Sequence, residues 1–201
     1  VSMLSQAHRE SLLKWHSLIN EQQGRRLRAS LRRCHTLSDV WLSEGCRALA
    51  ARVPSLWNVP GREWRFCALG IVAALAAQVK TIETRQTFAA QLGQTTGSNP
   101  VMSELRFRRL NQARTHEELF RQLRRAVQLL GGAVNLPDLA DGVFRWCAEV
   151  DDCMRHAAQK RTPTDYIRVR WALDYYMAGN PPDEPDAATT DQPADTAATQ
   201  E

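Results

Sequence analysis

No CxxC pair, no HExxH or HxxxH spacing and no GxSxG elbow occurs in the 201 residues, which argues against zinc knuckles, zincin-type hydrolases and serine-nucleophile hydrolases. The five cysteines, Cys34, Cys46, Cys67, Cys147 and Cys153, are odd in number and scattered, so they read as buried reduced thiols and not as a disulfide framework. His8, His16, His35, His116 and His156 form no metal-binding face. The acid pairs Glu117-Glu118 and Asp151-Asp152 sit near arginines and read as solvated ion-pair partners. The one glycine doublet, Gly131-Gly132, follows a helical pattern, so it marks a helix stop and not a phosphate loop. A long apolar run is missing too. Trp64 to Val79 (WRFCALGIVAALAAQV) carries Arg65 and falls short of the roughly 20 residues of a membrane span; it is expected to be a central buried helix. The opening VSMLSQAHRE has no signal-peptide pattern, and a cytoplasmic protein without cofactor, metal or membrane partner is expected.

Period-two alternation of Val, Ile and Thr is also lacking, whereas apolar residues recur at three and four positions in almost every window, which predicts an all-α fold without strands. Helices are predicted over residues 6–22, 24–34, 38–51, 63–80, 82–92, 101–114, 116–130, 137–159 and 164–178. The polar stretch Gly93 to Pro100 (GQTTGSNP) reads as a short linker between two small helical bundles, 1–93 and 101–179. Residues 180–201 (NPPDEPDAATTDQPADTAATQE) contain no large apolar side chain and are expected to be a disordered acidic tail. Thr115 with Glu118 has capping-box spacing, and Thr162-Pro163-Thr164-Asp165 has the residues of a helix start.

The charge is unevenly placed. Residues 180–201 hold six acids and no base, leaving 26 basic against 16 acidic residues in residues 1–180. Of the basic residues 23 are arginine and only Lys14, Lys80 and Lys160 are lysine. Arginine forks onto phosphate and stacks on bases, so this bias suits a nucleic-acid partner, although a GC-rich genome would also produce it. Placement is more telling. At about 100° per residue, the 24–34 helix turns Leu27, Leu31 and Cys34 inward and Arg25, Arg26, Arg28, Arg32 and Arg33 outward. The 116–130 helix buries Leu119, Phe120, Leu123, Ala126, Val127 and Leu130 and turns Arg121, Arg124, Arg125 and Gln128 outward. Two arginine faces without acids favour a polyanion over ordinary solvated surface.

In the 101–114 helix Arg106 and Arg109 fall inside the apolar arc, where a guanidinium needs a carboxylate, a helix C-terminus or a phosphate. Arg108 lies four residues after Glu104 and reads as a surface pair. The last helix, YIRVRWALDYYM from Tyr166, is apolar nearly all round, which suits a central or subunit-shared position. Arg170 has pair spacing with Asp174, leaving Arg168 the freer arginine.

The segments GRRLRASLRR from Gly24, SELRFRRL from Ser103, HEELFRQLRRAVQLL from His116, LPDLADGVFRW from Leu136 and IRVRWALDYY from Ile167 together resemble the Cse2 or CasB family, the small subunit of type I-E CRISPR surveillance complexes. The resemblance implies a non-catalytic, two-bundle helical subunit present in two copies in a crRNA-containing complex. Its implied neighbours are the backbone and large subunits, the target DNA and the displaced strand. The resemblance carries over to Arg32, Arg33, Arg106, Arg109, Arg124 and Arg125, and more weakly to Arg168 and Arg170. Three other readings stay open: a scaffold whose arginines meet acidic partner proteins, a basic helical transcriptional regulator, and a small nuclease, which would need clustered metal-binding carboxylates.

Overall fold

A computed structural model describes residues 2–97, 99–155 and 162–179. Among them the chain forms α1 (Gln6–Asn20), α2 (Arg25–Arg33), α3 (Leu37–Leu42), α4 (Glu44–Arg52), α5 (Pro54–Trp57), α6 (Trp64–Ala76), α7 (Phe88–Gly93), α8 (Glu104–Asn111), α9 (His116–Leu129), α10 (Leu136–Met154) and α11 (Ile167–Gly179). The fold is all-α. Four strands of two residues each, which the sequence did not predict, join the loops: β1 (Thr81–Ile82) runs parallel to β4 (Ala133–Val134), and β2 (Thr95–Thr96) pairs antiparallel with β3 (Asn99–Pro100). Strands this short leave no alternation to read. The expected acidic tail, 180–201, lies outside the described residues.

Several boundaries are set by caps. The helix expected over 38–51 is broken at Ser43, whose hydroxyl accepts from the Cys46 N–H at 3.1 Å and starts α4. The Thr115–Glu118 capping box forms as expected. That of Thr162 and Asp165 closes a 3-10 turn, and α11 starts only at Ile167. Gly131 and Gly132 take φ of 64° and 88° and stop α9.

α6 is apolar all round because neighbours cover it all round. Leu69, Ile71, Val72 and Leu75 are buried, with α10, α3, α4 and α9 packed about them. Burying each such side chain stabilises the fold by about 1.5–3 kcal/mol before entropy is counted. α7 packs along α11, and α6 along α10. The described core is one cluster containing buried residues from both sides of residues 93–101. Gly and polar residues mark a turn, here the β2–β3 connection, but carry no information about helices packing across it. α11 is seated by close approaches: a Cβ on Gly93 would collide with the Tyr175 carbonyl oxygen, and one on Gly142 would lie 2.9 Å from Trp171 Cζ2. It buries Ile167, Trp171 and Tyr175 as one stripe and leaves Leu173, Tyr176 and Met177 exposed, so it is not central.

All five cysteines are free; Cys34, Cys46 and Cys147 are buried as expected, whereas Cys153 is exposed. Among the described residues no group of His, Cys, Asp and Glu is placed to hold a metal ion. No helix there is long and apolar enough to cross a membrane.

Candidate nucleic-acid interface

The outward face of α9 divides into two by what lies opposite. Taking Arg124 as zero and advancing about 100° per residue, Glu117 falls near 20°, Arg121 near 60°, Arg125 near 100°, and Leu129 and Gln122 near 140° and 160°. Residues near zero meet the α2–α3 corner. The Leu37 N–H at the start of α3 donates to Glu117 Oε2 at 3.1 Å, while Arg124 donates to the carbonyls of Cys34 and Arg32 at 2.7 and 3.0 Å. An acid thus faces a helix N-terminus and a base faces a helix C-terminus, each matching the local dipole and satisfying free backbone groups. Neither is the solvated side chain that the sequence predicted.

Two further arginines are occupied in the same way. Arg28 is half-buried, and its Nε donates to the Ala77 carbonyl at the end of α6 at 3.0 Å. Burial and the neighbouring Arg32 lower its pKa. His16 on α1 meets the next turn of that terminus, with Nε2 3.2 Å from the Val79 carbonyl. Arg168 donates to the Ala113 carbonyl past the end of α8 at 2.6 Å and lies 5.8 Å from the centre of the Trp146 ring. It is therefore not the freer arginine of its pair. Arg170 is exposed, and no Arg170–Asp174 ion pair forms among the described residues. The other α2 arginines remain at the surface: Arg26 pairs with Glu44 of α4 at 3.1 Å, so the face is not free of acids, and Arg33 bonds the Ala29 carbonyl of its own helix at 3.1 Å. Arg25 and Arg32 are exposed.

The remaining arginines converge. Arg106 and Arg109 of α8 are exposed, contrary to the expectation of an apolar setting. α8 begins at Glu104, so Val101 and Met102 do not share its wheel, and only Phe107 and Leu110 are buried in it. Arg106 and Arg109 line one side of a groove whose other side is Gln122, Arg125, Gln128 and Leu129 of α9, with Met102 at one end and a volume of about 410 Å³. The groove continues past Arg109 and Arg125 to Arg121, Gln112 and Glu118. Among the described residues none of these four arginines forms an ion pair within 4.0 Å. Glu118 is engaged instead by the backbone N–H groups of Arg114 and Thr115 at 2.8 and 3.3 Å, which hold its carboxyl below the usual range. Arg108 points elsewhere, paired with Glu104 at 2.6 Å as expected. Gln112 and Gln122 were missed in the sequence. Gln122 sits at the α8 edge of the α9 wheel, a position that could have been read.

The profile of the family described as CRISPR-associated protein Cse2 matches residues 27–176. The chain belongs to the Cse2 family. Two solved structures, both from Thermus thermophilus, are similar to this Cse2 chain. CasB is 24% identical with a TM-score of 0.56, the alignment covering 84% of this chain and 97% of that one. A CRISPR-associated protein of the Cse2 family is 26% identical with a TM-score of 0.54 and the same coverage of 84% and 97%. No curated protein matches the chain. Cse2 membership makes the protein a subunit of the CRISPR Cascade complex, in a family that is structural and generally non-catalytic.

Proposed function

We propose that this subunit holds DNA backbone in the α8–α9 groove, stabilising the target and displaced strands of an R-loop. One observation carries the reading: Arg106, Arg109, Arg121 and Arg125 come from two helices to line one groove, exposed and without an ion pair within 4.0 Å among the described residues. Guanidinium groups so placed bind phosphate through paired donors without reading sequence. Gln122 and Gln128 add neutral donors and acceptors between them. Exchange of a DNA duplex for an RNA–DNA hybrid is nearly balanced in free energy, so a few backbone contacts to one strand shift it measurably. Arg25, Arg32 and Arg33 on α2 extend the basic surface, joined to α9 through Arg124.

The implied neighbours, namely the crRNA-bearing backbone, the large subunit and a second copy, belong to the same proposal. A protein-docking role is favoured by apolar side chains that do not line the groove: Leu105 of α8 and Leu173 and Met177 of α11 are 61%, 45% and 62% exposed. In this reading apolar contacts dock the subunit and arginines hold nucleic acid.

The test uses the reconstituted complex. Replacing Arg106, Arg109, Arg121 and Arg125 by Ala is expected to leave assembly intact while lowering the fraction of target plasmid converted to R-loop, most of all on relaxed DNA, where supercoiling does not assist. Loss of assembly with undiminished R-loop yield in whatever complex forms would favour the scaffold reading instead.

A further inference from the structure

We propose that residues 180–201 of this chain are a second occupant of the α8–α9 groove and compete there with nucleic acid. The inference rests on the reading of that groove as a polyanion site and names a regulator of it. Three observations carry it.

The first is charge. Asp183, Glu184, Asp186, Asp191, Asp195 and Glu201 lie in a stretch with no Lys or Arg, and three of them fall within four residues. Opposite them stand the groove arginines, which have no ion-pair partner among the described residues.

The second is where the segment starts. α11 runs antiparallel to α8: Arg168 near its start reaches Ala113 past the end of α8, and Tyr175 near its end donates to the Met102 carbonyl at 2.6 Å. Tyr175 also stacks on Phe107 with ring centres 3.9 Å apart, and Tyr176 donates to Glu104 at 3.1 Å. Gly179, the last residue of α11, lies against Gly93, and the Met102 N–H binds the neighbouring Leu92 carbonyl at 2.9 Å. Met102 in turn lines the groove beside Arg106. The described chain therefore ends, with Gly179, at the Met102 end of the groove.

The third is length. At up to about 3.3–3.6 Å per residue, Asp183 to Asp186 reach roughly 13–25 Å from Gly179, enough to enter a groove that begins one helix away. The reach of the later acids is longer still. A tethered segment within such reach meets its site at an effective concentration on the order of millimolar, which suffices for contacts that are weak individually. Carboxylates offer the arginines the same paired acceptors as phosphate, so the two occupants exclude each other. The competition is graded by salt, because exposed charges are screened.

The experiment compares the full chain, a chain ending at Gly179, and the full chain with the six acids neutralised (Asp183→Asn, Glu184→Gln, Asp186→Asn, Asp191→Asn, Asp195→Asn, Glu201→Gln). Backbone amide spectra without nucleic acid report docking directly. The amides of Arg106, Arg109, Gln122 and Arg125 are expected to differ between the full and shortened chains at about 0.1 M salt and to coincide at about 1 M, with the neutralised chain matching the shortened one. Absence of these differences, or differences confined to α2, would overturn the proposal. Anisotropy with a single-stranded oligonucleotide then measures competition. Removal or neutralisation of the segment is expected to tighten binding roughly three- to tenfold at low salt, as for a site blocked two-thirds to nine-tenths of the time. Equal affinity of all three proteins overturns the competition while leaving nucleic-acid binding in place. Amide differences with no oligonucleotide binding by any of them leave the docked segment standing and remove the nucleic-acid reading on which its role depends.

Discussion

Arg124 of α9 reaches across to α2 and donates to the carbonyl of Cys34 at 2.7 Å, closing the end of an arginine-rich helix with an arginine from another. Its second bond, to Arg32, fixes the last turn of α2 against α9. Side chains that look alike in the sequence therefore divide between holding helix ends and facing the groove.

That division predicts opposite phenotypes for adjacent residues. Arg124→Ala removes charged hydrogen bonds worth about 1.5–3 kcal/mol together, and urea denaturation should show a loss of that order. Arg121→Ala and Arg125→Ala should stay within about 0.5 kcal/mol of the parent, as surface changes do, while weakening nucleic-acid binding. Equal stability of all three variants would contradict the assignment.

The seat of α11 predicts a second contrast. Gly142→Ala meets the edge of the Trp171 side chain, which can shift, whereas Gly93→Ala meets the Tyr175 backbone, which cannot shift without moving the helix. Overpacking costs about 1–3 kcal/mol, and the thermal midpoint of Gly93→Ala should fall further than that of Gly142→Ala. The reverse order would mean that α11 is less firmly placed than its contacts indicate.

Stability should also fall on mild acidification. Burial lowers the pKa of His16 below its ordinary 6.5, with the Val79 carbonyl opposing and Arg28 reinforcing the shift. Burial lowers the pKa values of His8 and His116 as well. For a group whose folded pKa is depressed, the unfolded chain binds the proton more readily, so stability is full above about 6.5 and declines as pH drops towards the folded value. Chemical denaturation at pH 7.5 and 5.5 checks this, and His16→Gln should flatten the difference. A difference unaffected by that substitution would place the effect on other groups.

Much of this architecture was legible because it depends on neighbours along the chain. The Thr115–Glu118 box, the buried face of α9 and the all-round burial of α6 follow from spacing and apolar pattern alone. The roles of Arg28, Arg124 and Arg168 were not legible, since a helical wheel gives a direction but not what lies opposite, and here carbonyl groups at the ends of other segments lie opposite. The sequence pattern puts Arg106 and Arg109 inside an apolar arc because Val101 and Met102 widen that arc, whereas α8 starts only at Glu104. The break at Ser43 was missed for a similar reason: a capping hydroxyl interrupts the helix without interrupting the apolar pattern. The convergence of α8 and α9 on one groove depends on packing between two segments, and only the charge on each could be read beforehand.

The most direct test of the groove as a nucleic-acid site is the affinity of the isolated protein for a single-stranded oligonucleotide across a salt series, with the Arg106, Arg109, Arg121 and Arg125 to Ala variants measured singly and together. Affinity should fall steeply with salt, and each lost phosphate contact should flatten the logarithmic slope by about 0.7. Affinity indifferent to salt and to all four substitutions would contradict the account and leave the arginines as protein-docking residues.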